Sequence, residues 1–306
     1  MKSELVVNKG VVYHLGLKKN QLARNILLVG DPARAHKVAA YFDVIAHETL
    51  NREYVTITGD FMGLPVSVIG TGIGTDNVEI ALAEIYTLLE FDLDSGQKDT
   101  HSAPTNIIRV GTSGGAQDDI ASGTLCLASY ALGLDNVGLY YNQQPADETV
   151  TQIEQEAYRL ITNATPNGYR FKGKIQPYAA KADSFLLDRL RTAAKNVGAA
   201  TEVGITVSAP GFYGPSGRII DGLVNSVPHI KSVLSEINIQ QQRVLNFEME
   251  SSLLFHLAEQ MGYRAATICS IISNPKTSAD LFDYTDSVEQ SILIALNALR
   301  AINAKS

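Results

Sequence analysis

Leu27-Leu28-Val29-Gly30-Asp31-Pro32-Ala33-Arg34 reads as an apolar strand, a glycine-containing turn and the start of a helix. Proline suits the first helical position because the amide it lacks would have no partner there. Backbone N–H groups at such a start attract anions, and Arg34, about one turn in, can curl back towards a ligand. Taken alone, the same string also describes an ordinary strand-to-helix loop carrying a surface arginine. A second stretch, Ile107-Ile108-Arg109-Val110-Gly111-Thr112-Ser113-Gly114-Gly115, is more telling. Arg109 interrupts an otherwise apolar strand, and a buried guanidinium without a charge partner costs several kcal/mol. The partner is either an internal carboxylate or a bound anion. The glycines and hydroxyls after Arg109, read as a turn with exposed amides, favour the anion.

Working outward, short apolar and often β-branched runs at 25–29, 54–58, 65–69, 107–110, 125–129, 205–208 and 266–272 predict strands. Phe61-Met62-Gly63-Leu64 reads as a hairpin turn between the second and third. Helical periodicity covers 77–90, 183–196, 247–260 and 287–302. Gly198 and Gly262 fall just past two of these helices, where a left-handed cap residue is favoured. The alternation predicts an α/β fold, a single-domain α/β/α sandwich around a mixed sheet, spanning residues 1–306. Several strands end in glycine-containing motifs, where ligands bind in open α/β sheets. The polar segment 91–105 reads as a surface loop. Segment 136–177 gives no clear pattern.

The composition narrows the function. The 306 residues are 45% hydrophobic and 19% charged, enough apolar content for a large core and too little charge for disorder. A formal net charge of −7 disfavours nucleic acid and anionic membranes as partners. It does not exclude a small anionic substrate held by local arginines. Cys126 and Cys269 both sit in apolar runs, as buried thiols in a reducing compartment do. The N-terminus has no secretory apolar stretch, and no run reaches the ~18 apolar residues of a membrane span. These features predict a cytoplasmic protein.

Further motifs carry chemistry. Asn51-Arg52-Glu53-Tyr54 places an arginine at the start of a strand. Thr71-Gly72-Ile73-Gly74 is a glycine-rich turn that does not match the dinucleotide fingerprint, which disfavours a nicotinamide enzyme. Phe212-Tyr213-Gly214 leads to Ser216 and Arg218. In Glu248-Met249-Glu250, two carboxylates stand at the opening of a helix. The helix dipole stabilises them there, and an ionised carboxylate also accepts from two adjacent hydroxyls, as on ribose. His14, His36, His47, His101, His229 and His256 show no metal-binding spacing, and Asp118-Asp119 reads as a solvated loop pair. No metal site is expected, and no nucleophile elbow is present.

The ordered set Tyr13-His14-Leu15-Gly16-Leu17, Gly30 to Arg34, Asn51 to Tyr54, Thr71 to Gly74, Arg109 to Gly114, Phe212 to Arg218 and Phe247 to Ser251 resembles the nucleoside phosphorylase superfamily of trimeric and hexameric α/β enzymes. Within it the set is most similar to the uridine phosphorylases. The resemblance implies a central mixed sheet partly closed into a barrel. It implies that Gly30, Arg34, Arg109 and Thr112 bind phosphate, and that Arg52 and His14 reach across to a neighbouring subunit's site. Glu250 and Met249, flanked by Glu248, would hold ribose; Phe212 would lie against the base and Arg218 at its polar edge.

Arg109, Arg218 and Glu250 would then carry the reaction, a phosphorolysis of a ribonucleoside to free base and ribose 1-phosphate. Inorganic phosphate is a co-substrate and no redox cofactor is needed. The partners implied are nucleoside, phosphate and further copies of the chain, as a homodimer unit within a homohexamer. A structural monovalent cation near Glu53 belongs to the same resemblance. Ser216 stands where uridine phosphorylases usually carry a base-pairing glutamine, and Asn274-Pro275 replaces an Asn-Arg pair. Uridine or a related pyrimidine nucleoside is the first reading of the substrate, with a purine or modified nucleoside as the alternative. A nucleosidase and a non-catalytic nucleoside-binding protein are the remaining alternatives.

Overall fold

The computed structural model describes residues 3–99, 103–275 and 283–303. A small hairpin of β1 (Val7–Asn8) and β2 (Val11–Val12) comes first. It is followed by β3 (Asn25–Val29), α1 (Pro32–Ala39), β4 (Val44–Asn51), β5 (Tyr54–Phe61), β6 (Leu64–Gly70) and α2 (Thr75–Glu90). Then come β7 (Asn106–Gly115), β8 (Leu125–Gly133), α3 (Glu148–Ala164), β9 (Tyr178–Lys181), α4 (Ser184–Asn196) and β10 (Thr201–Ser208). The chain finishes with α5 (Ile230–Ser235), β11 (Asn238–Ile239), β12 (Gln242–Glu248), α6 (Ser251–Met261), β13 (Arg264–Ser273) and α7 (Thr285–Asn303).

One sheet runs in the order β11-β12-β10-β8-β13-β7-β3-β6-β5-β4, with β9 on β8. β12 also pairs with β7, through Asn246 with Gly115 and Phe247 with Gly114. This closes β12, β10, β8, β13 and β7 into a barrel, while β3, β6, β5 and β4 continue as an open sheet. Parallel pairs such as β3–β7 and β13–β7 mix with antiparallel ones such as β13–β8. The mixed, partly barrel-like sheet implied by the resemblance is what the chain forms.

Both faces of the sheet are covered. Leu27 and Val29 join one core with α1, α4 and α7, whereas Ile26 and Leu28 join the other with α2 and α6. Side chains alternate along a strand, so a strand buried on both faces needs an unbroken apolar run. Two residues, Met62 (φ 51°) and Gly63 (φ 83°), make the left-handed hairpin turn between β5 and β6. Gly198 and Gly262 take φ 66° and 73° past α4 and α6, as expected.

Other expectations need correcting. Helix 247–260 begins only at Ser251, because Phe247 and Glu248 complete β12. The unassigned segment 136–177 holds α3, whose N-cap Asp147 accepts from the amide of Val150 at 3.0 Å. β4 was not predicted because it is an edge strand with mostly exposed, mixed residues. The loop read at 91–105 contains a Phe91–Lys98 bridge, and its residues 100–102, including His101, lie outside the described residues. Cys126 and Cys269 are buried free thiols, directly opposite one another on β8 and β13. Among the described residues no helix is long and apolar enough to cross a membrane.

Barrel closure depends on Gly204. β10 shifts register there against β8, and one residue later against β12. A Cβ on Gly204 would stand 2.6 Å from the carbonyl oxygen of Arg243 and 2.9 Å from Leu245 Cγ. Gly204→Ala should therefore lower the unfolding free energy by about 1–3 kcal/mol, the usual cost of overpacking. Urea denaturation checks this; an unchanged midpoint would show that the barrel seam relaxes freely.

Candidate functional site

Arg109 lies in the middle of β7 with only 6% of its surface exposed. Its guanidinium pairs with Glu248 at 3.1 Å, contacts Glu250 and donates to Cys269 Sγ at 3.3 Å. Burial alone would lower its pKa, but Glu250 and then Glu248 outweigh that and hold it above its ordinary value. Of the two partners left open by the sequence, the structure supplies the internal carboxylates. The reading of 111–115 as a turn with exposed amides is also corrected, because β7 stays extended through Gly115. Gly111 has a different purpose. A Cβ there would fall 2.0 Å from an Arg109 guanidinium nitrogen and 2.9 Å from Cys269 Sγ, so glycine makes room for the arginine to fold back along its own strand.

The two carboxylates are not in the first turn of α6, where the sequence put them. Glu248 ends β12 and turns back to accept from the amides of Glu250 at 3.0 Å and Ser251 at 3.1 Å, and from the Ser208 hydroxyl. It thus caps the helix from outside and orients Arg109 at once. Glu250 occupies the N-cap position. One of its oxygens accepts from the Gly74 amide at 2.7 Å while the other meets Arg109. A carboxylate has about four lone-pair sites, so Glu250 keeps acceptor capacity for a ligand. Burial pushes its pKa up, Arg109 opposes this, and Glu248 adds to the rise.

Arg34 reaches the same place from α1. Asp31 caps that helix by accepting from the Ala33 amide at 2.9 Å. Buried Arg34 donates to the Val110 carbonyl at 3.2 Å and forms no ion pair among the described residues. Burial, and then the charge of Arg109, lowers its pKa. Gly30, Asp31, Arg34, Arg109, Thr112, Glu248, Met249 and Glu250 all line one cavity of about 1080 Å³. Gly72 and Ile73, from the turn before α2, line it too.

The far end of the cavity is formed by Phe212, Ser216, Gly217 and Arg218, with Ser273 at the end of β13 and Asn274 and Pro275 just after it. Phe212 stands 55% exposed, with the Arg218 guanidinium 3.8 Å from its ring centroid. Arg218 also donates to the Phe212 carbonyl. The Ser216 hydroxyl donates to the Gly211 carbonyl at 2.7 Å, so its proton is already committed within the loop. Lys231, on α5, lines this end and was not singled out from the sequence; an isolated lysine on a short helix gives no signal.

His14 and Arg52 are not in the cavity. Arg52 sits in the two-residue turn between β4 and β5 with φ 54°, donates to the Tyr13 hydroxyl at 3.3 Å and pairs with Glu53 at 3.6 Å. Asn51 donates to the Tyr13 and His14 carbonyls at 3.0 and 2.8 Å. Buried Glu84 of α2 accepts from the amides of His14 and Leu15 at 2.8 and 2.7 Å, and lies 2.8 Å from His14 Nδ1. Glu84 was also missed. Its only signal is a carboxylate inside the apolar face of a helix. Among the described residues no group of three or more His, Cys, Asp or Glu is placed to hold a metal.

Fold and cavity together define an α/β protein in which a cationic floor and a buried carboxylate pair meet at the ends of barrel strands. The profile of the Phosphorylase superfamily matches residues 24–303, and the chain belongs to that family. It is 30% identical over 270 residues to the uridine phosphorylase of Thermococcus kodakarensis, covering 88% of this chain and 80% of that one. It is 29% identical to the uridine phosphorylase of Escherichia coli, covering 88% of each. A crystal structure of a Trypanosoma brucei nucleoside phosphorylase, described as showing uridine phosphorylase activity, superimposes with a TM-score of 0.86 at 29% identity. That match covers 97% of this chain and all of that one.

Arg109→Ala leaves Glu248 and Glu250 buried without their counter-charge and should cost about 3–5 kcal/mol of stability. Arg34→Ala removes a cation that forms no ion pair among the described residues and should cost clearly less. Urea unfolding of both variants checks the order; equal losses would contradict the ion-pair geometry described here.

Proposed function

We propose that the chain catalyses phosphorolysis of a ribonucleoside, uridine or a related pyrimidine nucleoside, with inorganic phosphate. The observation that carries this reading is the pairing, in one cavity, of Arg34 without a carboxylate and Glu250 with acceptor capacity to spare. The first suits an oxyanion and the second a vicinal diol. The family and its relatives named uridine phosphorylase support the same reaction class.

In this reaction phosphate oxygen bonds to C1′ as the C1′–N bond breaks, and the bonding pair leaves with the base. Arg34 supplies most of the free N–H donors to phosphate. Arg109 has much of its fork engaged by carboxylates, so it acts through its charge and by fixing Glu250, while Gly30 and Thr112 complete that end. Phosphate in turn favours the oxocarbenium-like sugar, an electrostatic contribution available only where donors are already oriented. Glu250 and Met249 hold the ribose so that attack is in line. Arg218, released from Phe212, neutralises charge gathering on the departing base. Ser216 leaves the base less sharply specified, and a 27% identical purine nucleoside phosphorylase from Listeria welshimeri keeps a purine substrate as the second reading.

Arg52 and His14 belong to the proposal through a second copy of the chain. Both stand outside their own cavity, clustered on Tyr13, with the Arg52 side chain about half exposed (49%). A homodimer, as the repeating unit of a hexamer, brings Arg52 to the neighbour's phosphate end and His14 towards its ribose 5′-hydroxyl.

Base release from a panel of pyrimidine and purine ribonucleosides, with and without phosphate, tests the reaction. Phosphate-dependent release is expected, with uridine best. Phosphate-independent release would replace phosphorolysis by hydrolysis, and binding without release would leave only a nucleoside-binding protein. Arg34→Ala should raise the KM for phosphate about ten- to a hundred-fold, as expected for lost charged hydrogen bonds. Mixing Arg34→Ala with Arg52→Ala subunits should recover part of the activity that neither has alone. No recovery, in subunits shown to exchange, would remove the shared site.

A further inference from the structure

Lys231 projects from α5 into the far end of the cavity beside Phe212, Ser216 and Arg218. The 214–218 loop packs closely on its stem. A Cβ on Gly217, itself at φ 79°, would lie 3.3 Å from both the Lys231 backbone nitrogen and its Cβ. The ammonium extends to the end of β7, where a Cβ on Gly114 would meet Lys231 Nζ at 3.4 Å and Ser273 Oγ at 3.3 Å. Nζ is thus held between the Arg218 loop and the end of β13. Among the described residues it makes no hydrogen bond and no ion pair.

Burial, and then the charge of Arg218, lowers the Lys231 pKa. The Lys231 ammonium, half-buried beside the exposed Arg218 guanidinium and without a carboxylate partner among the described residues, leaves donors unsatisfied. Leaving a buried donor without an acceptor is costly, and more so for a charged one. A ligand edge that fills this gap must bring acceptors. The Ser216 hydroxyl cannot add a donor there without giving up Gly211.

We propose that Lys231 is a specificity-determining residue whose Nζ donates to the carbonyl oxygen that amino bases replace by an exocyclic amine, O4 of a pyrimidine or O6 of a purine, so that the site takes oxo bases and rejects amino ones. This rests on the reading of the cavity as a nucleoside site. The shared chemistry is a ring carbonyl flanked by a ring nitrogen, as in a 2,4-dioxopyrimidine or a 6-oxopurine. An exocyclic amine at the same place would turn its own donors towards the ammonium. The same donor also stabilises negative charge spreading onto the carbonyl oxygen as the base leaves.

The test is calorimetric binding of uracil, cytosine, hypoxanthine and adenine, in the presence of phosphate, to the intact protein and to Lys231→Met and Lys231→Arg. The intact protein should bind one oxo base at least about tenfold more tightly than its amino counterpart, a difference the size of one charged hydrogen bond. Uracil against cytosine and hypoxanthine against adenine tell the two ring classes apart. Lys231→Met should abolish the preference, Lys231→Arg should keep most of it, and the KM for phosphate should stay constant in both. Equal affinities in the intact protein, or a preference that survives Lys231→Met, would overturn the proposal. If Lys231→Met does not fold, Lys231→Leu takes its place in the same comparison. Base binding is read without turnover, so an enzyme that preferred oxo bases but released none from nucleosides would sink phosphorolysis and leave the role of Lys231 standing.

Discussion

Arg109 and the two carboxylates it holds are the constraint around which the site is arranged. A guanidinium in the wall of a barrel is tolerable only if its charge is answered inside the barrel, and Glu248 and Glu250 answer it from the crossing between β12 and α6. That requirement fixes much else. β7 must carry glycine at 111 so the side chain can fold back. β12 must end where its last carboxylate can both cap α6 and face β7. The turn before α2 must present the Gly74 amide to Glu250. Each of these segments is distant in sequence from the others, and the ion pairs tie them together at the place where the cavity opens.

Much of the fold was legible because buried strands leave an unmistakable mark. The run 25–29 is a strand with the bounds its residues suggest, since both faces of β3 are covered. β4 and β9 left no such mark; one is an exposed edge and the other only four residues long. The motif Glu248-Met249-Glu250 is chemically loaded in the sequence, but its local structure differs from the helix opening its residues suggest. Carboxylates at a helix opening look alike in sequence whether they lie within the first turn or arrive from a preceding strand. Which applies depends on Arg109, more than a hundred residues away.

The same limit governs the site residues. Gly30, Arg34, Arg109, Thr112 and Glu250 announce themselves as polar residues or glycines beside apolar runs, and one cavity gathers them. Glu84 and Lys231 do not, since a glutamate on a helix and a lysine on a short helix are among the commonest features of any sequence. What distinguishes them is burial. Glu84 gathers two amides and an imidazole, and Lys231 gathers no partner among the described residues. Arg52 and His14 show the converse: the resemblance singled them out, yet their own chain's cavity does not include them. Their position sets a second cluster, gathered on Tyr13, apart from the pocket.

The opposed thiols of β8 and β13 carry a consequence for alkaline solution. Burial raises the Cys269 thiol to about 12 and pushes Cys126 up as well. Both sulfurs therefore keep their protons in the folded barrel at pH values where an unfolded cysteine, with a pKa near ~8.5, has lost its own. Above that point the denatured chain binds fewer protons than the native one, so base favours unfolding. The drain on stability runs from the ordinary thiol range up to about 12 for Cys269. The thiols buried in the barrel wall that shelters Arg109 thus make the folded state as a whole sensitive to strong base.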